Sequence, residues 1–511
     1  MRDMVPGALI DTGIFDGSAQ KATTRHYEQR AIGIECKTRN GGFSAAMQRH
    51  PLRMFRLLFT SLVAATLAHA ADWPEFMGPT RDQISTEKGL IDTLPAQGPP
   101  LVFERTVGKG YSAPSIRGNT MVIHHRVGQQ EIVEACDART GIALWKHGYK
   151  SDYRDPFGYN NGPRCTPLLT EDRCYTFGAE GVLLCLDLVT GKEVWRRETQ
   201  ADFAVPEAFF GVGSTPILED GLLFVQVGGQ PNSGVVAFDA NTGKTVWENV
   251  GEKSWAGQPM NGWPGDRTVM WSINDPAYAM MASYCSPVLA TIHGKRHLLV
   301  CTRQGLVSLE PKTGLVNFSY WFRAQQDQSV TAMTPVVQDD LVLISSAYYR
   351  SGAVLLRVDK SGKSVERVWK GLQLEIHWTR PVLVDGFLYA FSGRNEPDAF
   401  FRCVEMSSGK VAWERKEGWP NASHSKIPQG ERPPEVFGRG SAIFADGKLI
   451  ALGEAGLLGL FKPTPLNLTE LSRWQVPQMR YPCWTAPVLA NGRLYLRDED
   501  HVVCYDLAKK P

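Results

Sequence analysis

The constraint that dominates this chain is a nine-residue phrase, Asp-x-x-Thr-Gly-Lys-x-x-Trp, which occurs whole at 187–195 and 239–247. Variants stand at 137–145 with Ile142 for Lys, at 405–413 with Glu405 and Ser408, and at 310–318 with Glu310 and Phe318. Eroded copies fall at 362–369 and ahead of Trp474. A repeat period of about fifty residues points to a stack or a ring of small units.

Ahead of each copy lies a Ser/Thr-x-Pro-like step, centred on Pro114, Pro167, Pro216, Pro287, Pro335, Pro381 and Pro487, with Ala442 in the equivalent place of one unit, so eight starts are readable. Each unit reads as four short strands. After Pro216 come Ile217-Leu218, the turn Glu219-Asp220-Gly221 and an apolar run at 222–227, and an Asp-Gly turn between apolar runs is a hairpin signal. A third strand at 234–239 alternates its side chains before Asn241-Thr242-Gly243 turns the chain into the strand bearing Trp247. Four strands per unit, eight units and no helix-period segments predict an all-β fold, an eight-bladed β-propeller of four-stranded blades.

The ends are uneven: eight starts are followed by only seven exit strands, at Trp145, Trp195, Trp247, Phe318, Trp369, Trp413 and Trp474. The segment Leu101-Val102-Phe103-Glu104-Arg105-Thr106 resembles Val194-Trp195-Arg196-Arg197-Glu198-Thr199, so this N-terminal strand is predicted to close the last blade. Such closure removes the open sheet edges that invite aggregation. A lead segment at 71–99 then precedes a propeller at 100–511.

The phrase suits a turn followed by a dock. Gly supplies the positive φ of a tight turn, and the acid accepts backbone N–H groups there. The aromatic exit residue has a face free to pack on a neighbouring blade. A buried Trp covers about 150–250 Å², worth roughly 4–6 kcal/mol as an upper bound.

Formal charge is +2, and no basic cluster interrupts the repeats, so the footprint of nucleic-acid binding is missing. Near the start, Arg49, Arg53 and Arg56 precede an apolar stretch at 57–67, and Ala68-His69-Ala70 offers a small-x-small cleavage site. This layout predicts a signal peptide at 47–70 and export to the periplasm or exterior as a soluble monomer. The stretch is shorter than the roughly 20 residues of a membrane span. Met47 gives a conventional start, which makes residues 1–46 an extension outside the expected reading frame. Removing 1–70 takes nine of 55 basic and five of 53 acidic residues, leaving 46 against 48.

No Cys follows the expected cleavage point, so a lipid anchor is not indicated. Cys185, Cys403 and Cys504 share one repeat position, two before the acid, where other units have Ala135, Ala237 or Ser308. They read as small buried side chains. A Cys285–Cys301 disulfide is conceivable, but spacing cannot establish it.

In a propeller the first-to-second and third-to-fourth strand turns share one face. Here they are tight, whereas the long excursions at 149–164, 248–284 and 414–439, and the wider turn at 394–399, belong to the other face. Recognition is expected there. The richest excursion carries Trp255, Met260, Trp263, Met270, Trp271, Tyr278, Met280 and Met281, either as a binding surface or as packing.

A sharper constellation is the residue three before each step, which should point toward the channel: Tyr111, Arg164, Gly213, Tyr284, Ala332, Trp378, Arg439 and Trp484. Four aromatics and two Arg in a ring can clamp a flat anionic molecule by stacking and bidentate hydrogen bonds. They can equally plug the channel and pair with acids. His124 and His125 should face opposite sides of a strand, and His293 and His297 flank a hairpin turn where solvation is expected. No nucleophile elbow, zinc-protease or phosphate-loop motif occurs, and neither catalytic nor metal-ligating residues are assigned.

The phrase and its Pro step resemble the pyrroloquinoline quinone (PQQ) type propeller repeat over roughly residues 100–507. Trp73-Pro74-Glu75-Phe76-Met77-Gly78-Pro79-Thr80-Arg81-Asp82, and the segment running from Trp484-Thr485-Ala486-Pro487 to Asp498, are similar to the opening and closing signatures of secreted bacterial PQQ-like propellers. The resemblance implies the ring of quinoprotein alcohol dehydrogenases, which hold PQQ with calcium on the axis beside a catalytic Asp and a vicinal disulfide. It also implies the ring of BamB-type lipoproteins, a non-catalytic scaffold. This chain has no adjacent Cys pair and no Cys-x-x-Cys-His, and no acid matches the enzymes' catalytic position. A binding or scaffolding propeller for a protein, glycan or small anionic ligand is therefore expected, with a PQQ-dependent dehydrogenase of alcohols or sugars as the alternative.

Overall fold

The computed structural model describes residues 71–205, 210–229, 231–250, 282–323, 330–419 and 435–510. They fall in one compact unit, Thr66–Pro511. The expected extension at 1–46, the signal peptide at 47–70 and the Met/Trp-rich residues from Trp255 to Met281 lie outside the described residues.

Eight antiparallel four-stranded blades follow one another along the chain, seven of them running inner to outer in sequence order and the eighth taking its outer strand from the N-terminal side. Among the described residues helix is confined to Thr199–Asp202 and two short 3₁₀ turns. The protein is thus an eight-bladed β-propeller. Its first-to-second turns work as their sequences suggest: Asp220-Gly221, Asp385-Gly386, Asp446-Gly447 and Asn491-Gly492 all have positive φ at both residues. That geometry matches the right-handed twist of the flanking strands.

The phrase acts at the joint between blades. Asp239 Oδ1 accepts the Thr242 N–H and hydroxyl at 2.8 and 2.7 Å, fixing a turn in which Gly243 has φ +68°. The face of that glycine lies against the indole of Trp195 from the preceding blade, and a Cβ there would come within 2.7 Å of the ring. The indole Nε1 donates to Ala240 O at 2.8 Å. Trp145, Trp247 and Trp369 repeat the arrangement with Leu188, Pro311 and Met406 carbonyls and with Gly191, Gly314 and Gly409. Trp413 donates to Thr464 O.

Opposite the aromatic residue the third strand carries a small side chain in six blades, Ala135, Cys185, Ala237, Ser308, Cys403 or Cys504, whereas Leu355 stands opposite Trp369. The cysteines at this position are buried, as expected, and they leave room for a large ring. Cys285 and Cys301 are separate buried thiols.

Closure joins the N-terminal strand Leu101–Thr106 to His501–Asp506, completing blade eight. The register places Phe103 opposite Cys504, just as Trp195 stands opposite Cys185. The likeness to 194–199 therefore holds with a one-residue shift, because Phe103 and not Val102 occupies the docking position, against Gly141. Arg105 then reaches Glu134 of blade one at 2.6 Å, and buried Arg497 donates to His124 O at 3.0 Å.

Two further positions depart from the sequence expectation. In blade seven Ser472, not Trp474, stands next to the bulge where the other units place their aromatic residue. Trp474, two residues on, is instead covered by Gly98 of the lead segment and meets Tyr505 edge-on at 5.3 Å. In blade four Phe318 is smaller than an indole, and His297 takes the space over Gly362. His297 is consequently buried rather than solvated, with Nδ1 2.8 Å from Ser308 Oγ and its ring 6.0 Å from Phe318. His124 and His125 do face opposite ways, toward Glu131 and Glu134 respectively.

The lead segment has a structural task that its sequence did not disclose. Ile84–Ser85 adds a parallel fifth strand to the inner edge of blade seven, while Trp73 bridges to Ile116 of blade one. Pro74 O accepts the Leu169 N–H of blade two, and Arg81 donates to Leu218 O of blade three. These contacts carry the segment across the tight-turn end of the axis.

Candidate functional site

All eight residues of the three-before ring line one cavity of about 530 Å³ on the axis. Its upper wall comes from the link between blades one and two (Tyr159), the link before blade three (Phe210) and the second-to-third turns bearing Tyr348 and Arg394. Trp73, Phe76, Met77 and Gln83 of the lead segment line it as well, so that segment forms its floor. The cavity is built on the face with the long connections.

Each ring position follows from strand geometry. The link between blades enters at the mouth, and the three residues before the Pro step run down the channel wall before the inner strand begins. Gly213 lacks a side chain where the Tyr284 ring of the next blade sits, since a Cβ would come within 2.9 Å of it. Trp484 is the hub of the aromatic wall, with Tyr111, Trp378, Tyr159 and Tyr481 at centroid distances of 5.2, 5.3, 5.8 and 6.0 Å. The wall continues from Trp378 through His377 at 4.7 Å to Tyr348 at 5.1 Å. Across the mouth, Phe210 and Tyr284 are 5.5 Å apart.

The two ring arginines are already paired. Arg164 Nη2 donates to Asp155 Oδ2 at 2.7 Å and to Asn160 O at 3.1 Å. Arg439 Nη2 donates to Glu454 Oε1 at 2.7 Å, and its Nε lies 3.2 Å from both oxygens of that carboxylate. Trp484 Nε1 donates to the same carboxylate at 2.7 Å, and the Arg439 guanidinium sits 4.7 Å over the Trp378 ring. Both arginines pair with acids, one of the two roles their positions allow. Each carboxylate neutralises its partner within a buried hydrogen-bonded unit.

His377 is fixed by the same unit. Its Nδ1 lies 3.0 Å from Arg439 Nη1, a donor, so the ring proton resides on Nε2, 3.2 Å from the Tyr348 hydroxyl. Burial first, and then the charges of Arg439 and Arg394, hold the imidazole well below its ordinary range. It is a neutral spacer with no free lone pair.

Two other arginines on blade six were not singled out by the three-before rule. Arg394, in the second-to-third turn, lies 4.8 and 4.4 Å over the rings of Tyr348 and Tyr349, and no carboxylate among the described residues pairs with it. Arg380 precedes the Pro381 step. It donates to Asp82 O at 3.0 Å and Pro335 O at 3.3 Å, again without a carboxylate partner among the described residues. Burial lowers its guanidinium to about 10.

The sequence did hold a signal for Arg380. The residue just before each step reads Ala113, Thr166, Thr215, Ser286, Thr334, Arg380, Ser441 and Ala486, and only one of these is charged. Elsewhere the hydroxyls form a girdle between blades. Ala113 N donates to Thr166 Oγ1, Thr166 N to Thr215 Oγ1 and Thr215 N to Ser286 Oγ, at 3.3, 3.1 and 2.9 Å.

Among the described lining residues there are four arginines and no Asp or Glu. Away from the cavity lining, Asp498, Asp500 and His501 bring ligand atoms within 4.8 Å of one another in a blade-eight turn. Asp498 there accepts the backbone N–H groups of Arg480, Asp500 and His501.

Fold and repeat together define a PQQ-type propeller. Residues 129–415, more than half of the chain, match the family described as outer membrane protein assembly factor BamB, and the chain belongs to that family. A quinohemoprotein alcohol dehydrogenase, ADH-IIG of Pseudomonas putida, is 26% identical over 132 residues, which are 24% of this chain and 17% of that enzyme. Among solved structures, the quinohemoprotein alcohol dehydrogenase of Comamonas testosteroni superposes with a TM-score of 0.57 at 13% identity, covering 86% of this chain and 81% of that one. BamB from Moraxella catarrhalis gives 0.51 at 14%, covering 80% and 98%. These structures share the fold. No helix of the described residues is long and apolar enough to cross a membrane.

Proposed function

We propose that the protein is an exported, non-catalytic binding propeller that takes a flat, anionic small molecule into the aromatic cavity at its channel mouth. The observation that carries this reading is the lining: packed, tilted rings of Tyr111, Trp378 and Trp484, four arginines and no described carboxylate. With Arg164 and Arg439 paired to carboxylates in the wall, Arg380 and Arg394 supply positive charge that no described carboxylate ion-pairs, with Asp82 acting on Arg380 only from beyond ion-pair distance. Aromatic faces take up a flat body, and guanidinium groups in a partly desolvated site favour an anion.

The likeness to quinohemoprotein alcohol dehydrogenases supports a second reading, a PQQ-dependent dehydrogenase. Calcium takes six to eight oxygen ligands, in which carboxylates are prominent. The described lining offers hydroxyls, amides and four cationic side chains instead, so its donor set does not fit calcium.

Calorimetric titration with 2-naphthoate and its neutral isostere 2-naphthamide tests the proposal. Saturable binding of the carboxylate, at least about tenfold tighter than the amide, is expected from one charge-assisted contact. Equal affinities, or no binding of either, would overturn it. Dye reduction with an alcohol after incubation with PQQ and calcium would favour the dehydrogenase.

A further inference from the structure

Blade six departs from the repeat at both ends of the cavity. At the depth where neighbouring blades place a girdle hydroxyl it places Arg380, in contact through Asp82 O with the lead segment that forms the floor. At the mouth, its second-to-third turn places Arg394 on the Tyr348 and Tyr349 rings. Between these two levels the same blade contributes His377 and Trp378.

A guanidinium drawn into a protein wall without a carboxylate partner is costly, and such groups are normally paired. The structural work of Arg380 is two hydrogen bonds to carbonyls, and among the described residues its Nη2 has no partner, although the residue lines the cavity. Arg394 makes ring contacts and, among the described residues, no side-chain hydrogen bond, leaving its donors for a ligand.

Resting on the reading of the cavity as an anion site, we infer that its ligand is a flat molecule with two acidic groups at opposite ends. One is bound by Arg380 at the floor and one by Arg394 at the mouth, with the flat body against Trp378. Blade six is then the specificity element, while the paired arginines of blades two and seven shape the wall. A monoanion fills one end only.

The test compares 2-naphthoate with naphthalene-2,6-dicarboxylate by calorimetry on the wild-type protein and on Arg380→Gln and Arg394→Ala. The wild type should bind the dicarboxylate roughly tenfold or more tighter than the monocarboxylate, and each substitution should abolish that advantage. Gln at 380 can still donate to Asp82 O, and Arg394 makes no hydrogen bond whose loss would unfold the turn, so both variants should melt close to the wild type. Equal wild-type affinities for the two acids, or an advantage that survives both substitutions, would overturn the two-ended ligand while leaving the anion site standing. If neither acid binds, the anion site itself fails, and this inference with it.

Discussion

Two glycines of blade three provide an internal control on the blade joint. Gly221 and Gly243 both lie in turns on the tight-turn face, at φ +77° and +68°. They differ in surroundings: a Cβ on Gly221 meets nothing within 4 Å, whereas one on Gly243 would sit 2.7 Å from the Trp195 ring. Alanine at either site incurs the left-handed backbone cost of about 1–2 kcal/mol. At Gly243 it must also push the indole away, an overpacking cost of about 1–3 kcal/mol. Displacement further strains the bond from Trp195 Nε1 to Ala240 O, and an unsatisfied buried donor costs about 1–3 kcal/mol. Gly221→Ala should therefore lose about 1–2 kcal/mol and Gly243→Ala about 3–8 kcal/mol. Urea unfolding followed by circular dichroism, compared at constant slope, reads the difference. In a Trp195→Ala background, itself about 3–5 kcal/mol less stable, the excess at Gly243 should vanish. Equal losses at the two glycines in the wild-type background would refute the idea that phrase and exit residue form one dock.

Two shorter tests address charge. Burial would raise the Glu134 carboxyl, but hydrogen bonds from His125 and Arg105 and the charges of Arg105 and Lys146 hold it down at about 2, below its ordinary 4.5. A depressed carboxylate stabilises fully above its unfolded value and loses that contribution as pH falls through the folded one, so the ring closure should weaken between about pH 4.5 and 2. Glu134→Gln should flatten the acid limb of a melting-temperature profile in that window, and an unchanged limb would count against the Arg105 bridge as a closure device. Arg439→Ala should lose about 3–5 kcal/mol, because it leaves Glu454 buried without its cation, and urea unfolding that shows a loss below about 1 would return Arg439 to the role of a free ligand clamp.

The repeat made the ring and its inward positions legible because both follow from counting. A period gives blades, the Pro step marks the start of each inner strand, and alternation along that strand says which side chains turn inward. Counting fails where a unit substitutes one device for another. Blade seven has no Thr-Gly turn to receive its exit strand, and Gly98, distant in sequence, serves Trp474 instead. Blade four fills the volume of an indole with Phe318 and His297 together, so a histidine near a hairpin turn became buried.

The site was legible to a lesser depth for a related reason. Sequence places Arg164 and Arg439 on the channel wall, but their meaning depends on Asp155 and Glu454, whose approach is set by link and turn conformations with no repeat behind them. A repeat protein can be read more usefully by its exceptions. Where seven of eight copies of a position hold small residues or hydroxyls and one holds an arginine, the shared fold does not require the charge, since seven blades close without it. Two hydrogen bonds to carbonyls are within reach of a glutamine, so they do not account for a guanidinium at Arg380 either. What remains is the cavity it lines, which is why the proposed ligand site is drawn to blade six rather than to the phrase that builds the ring.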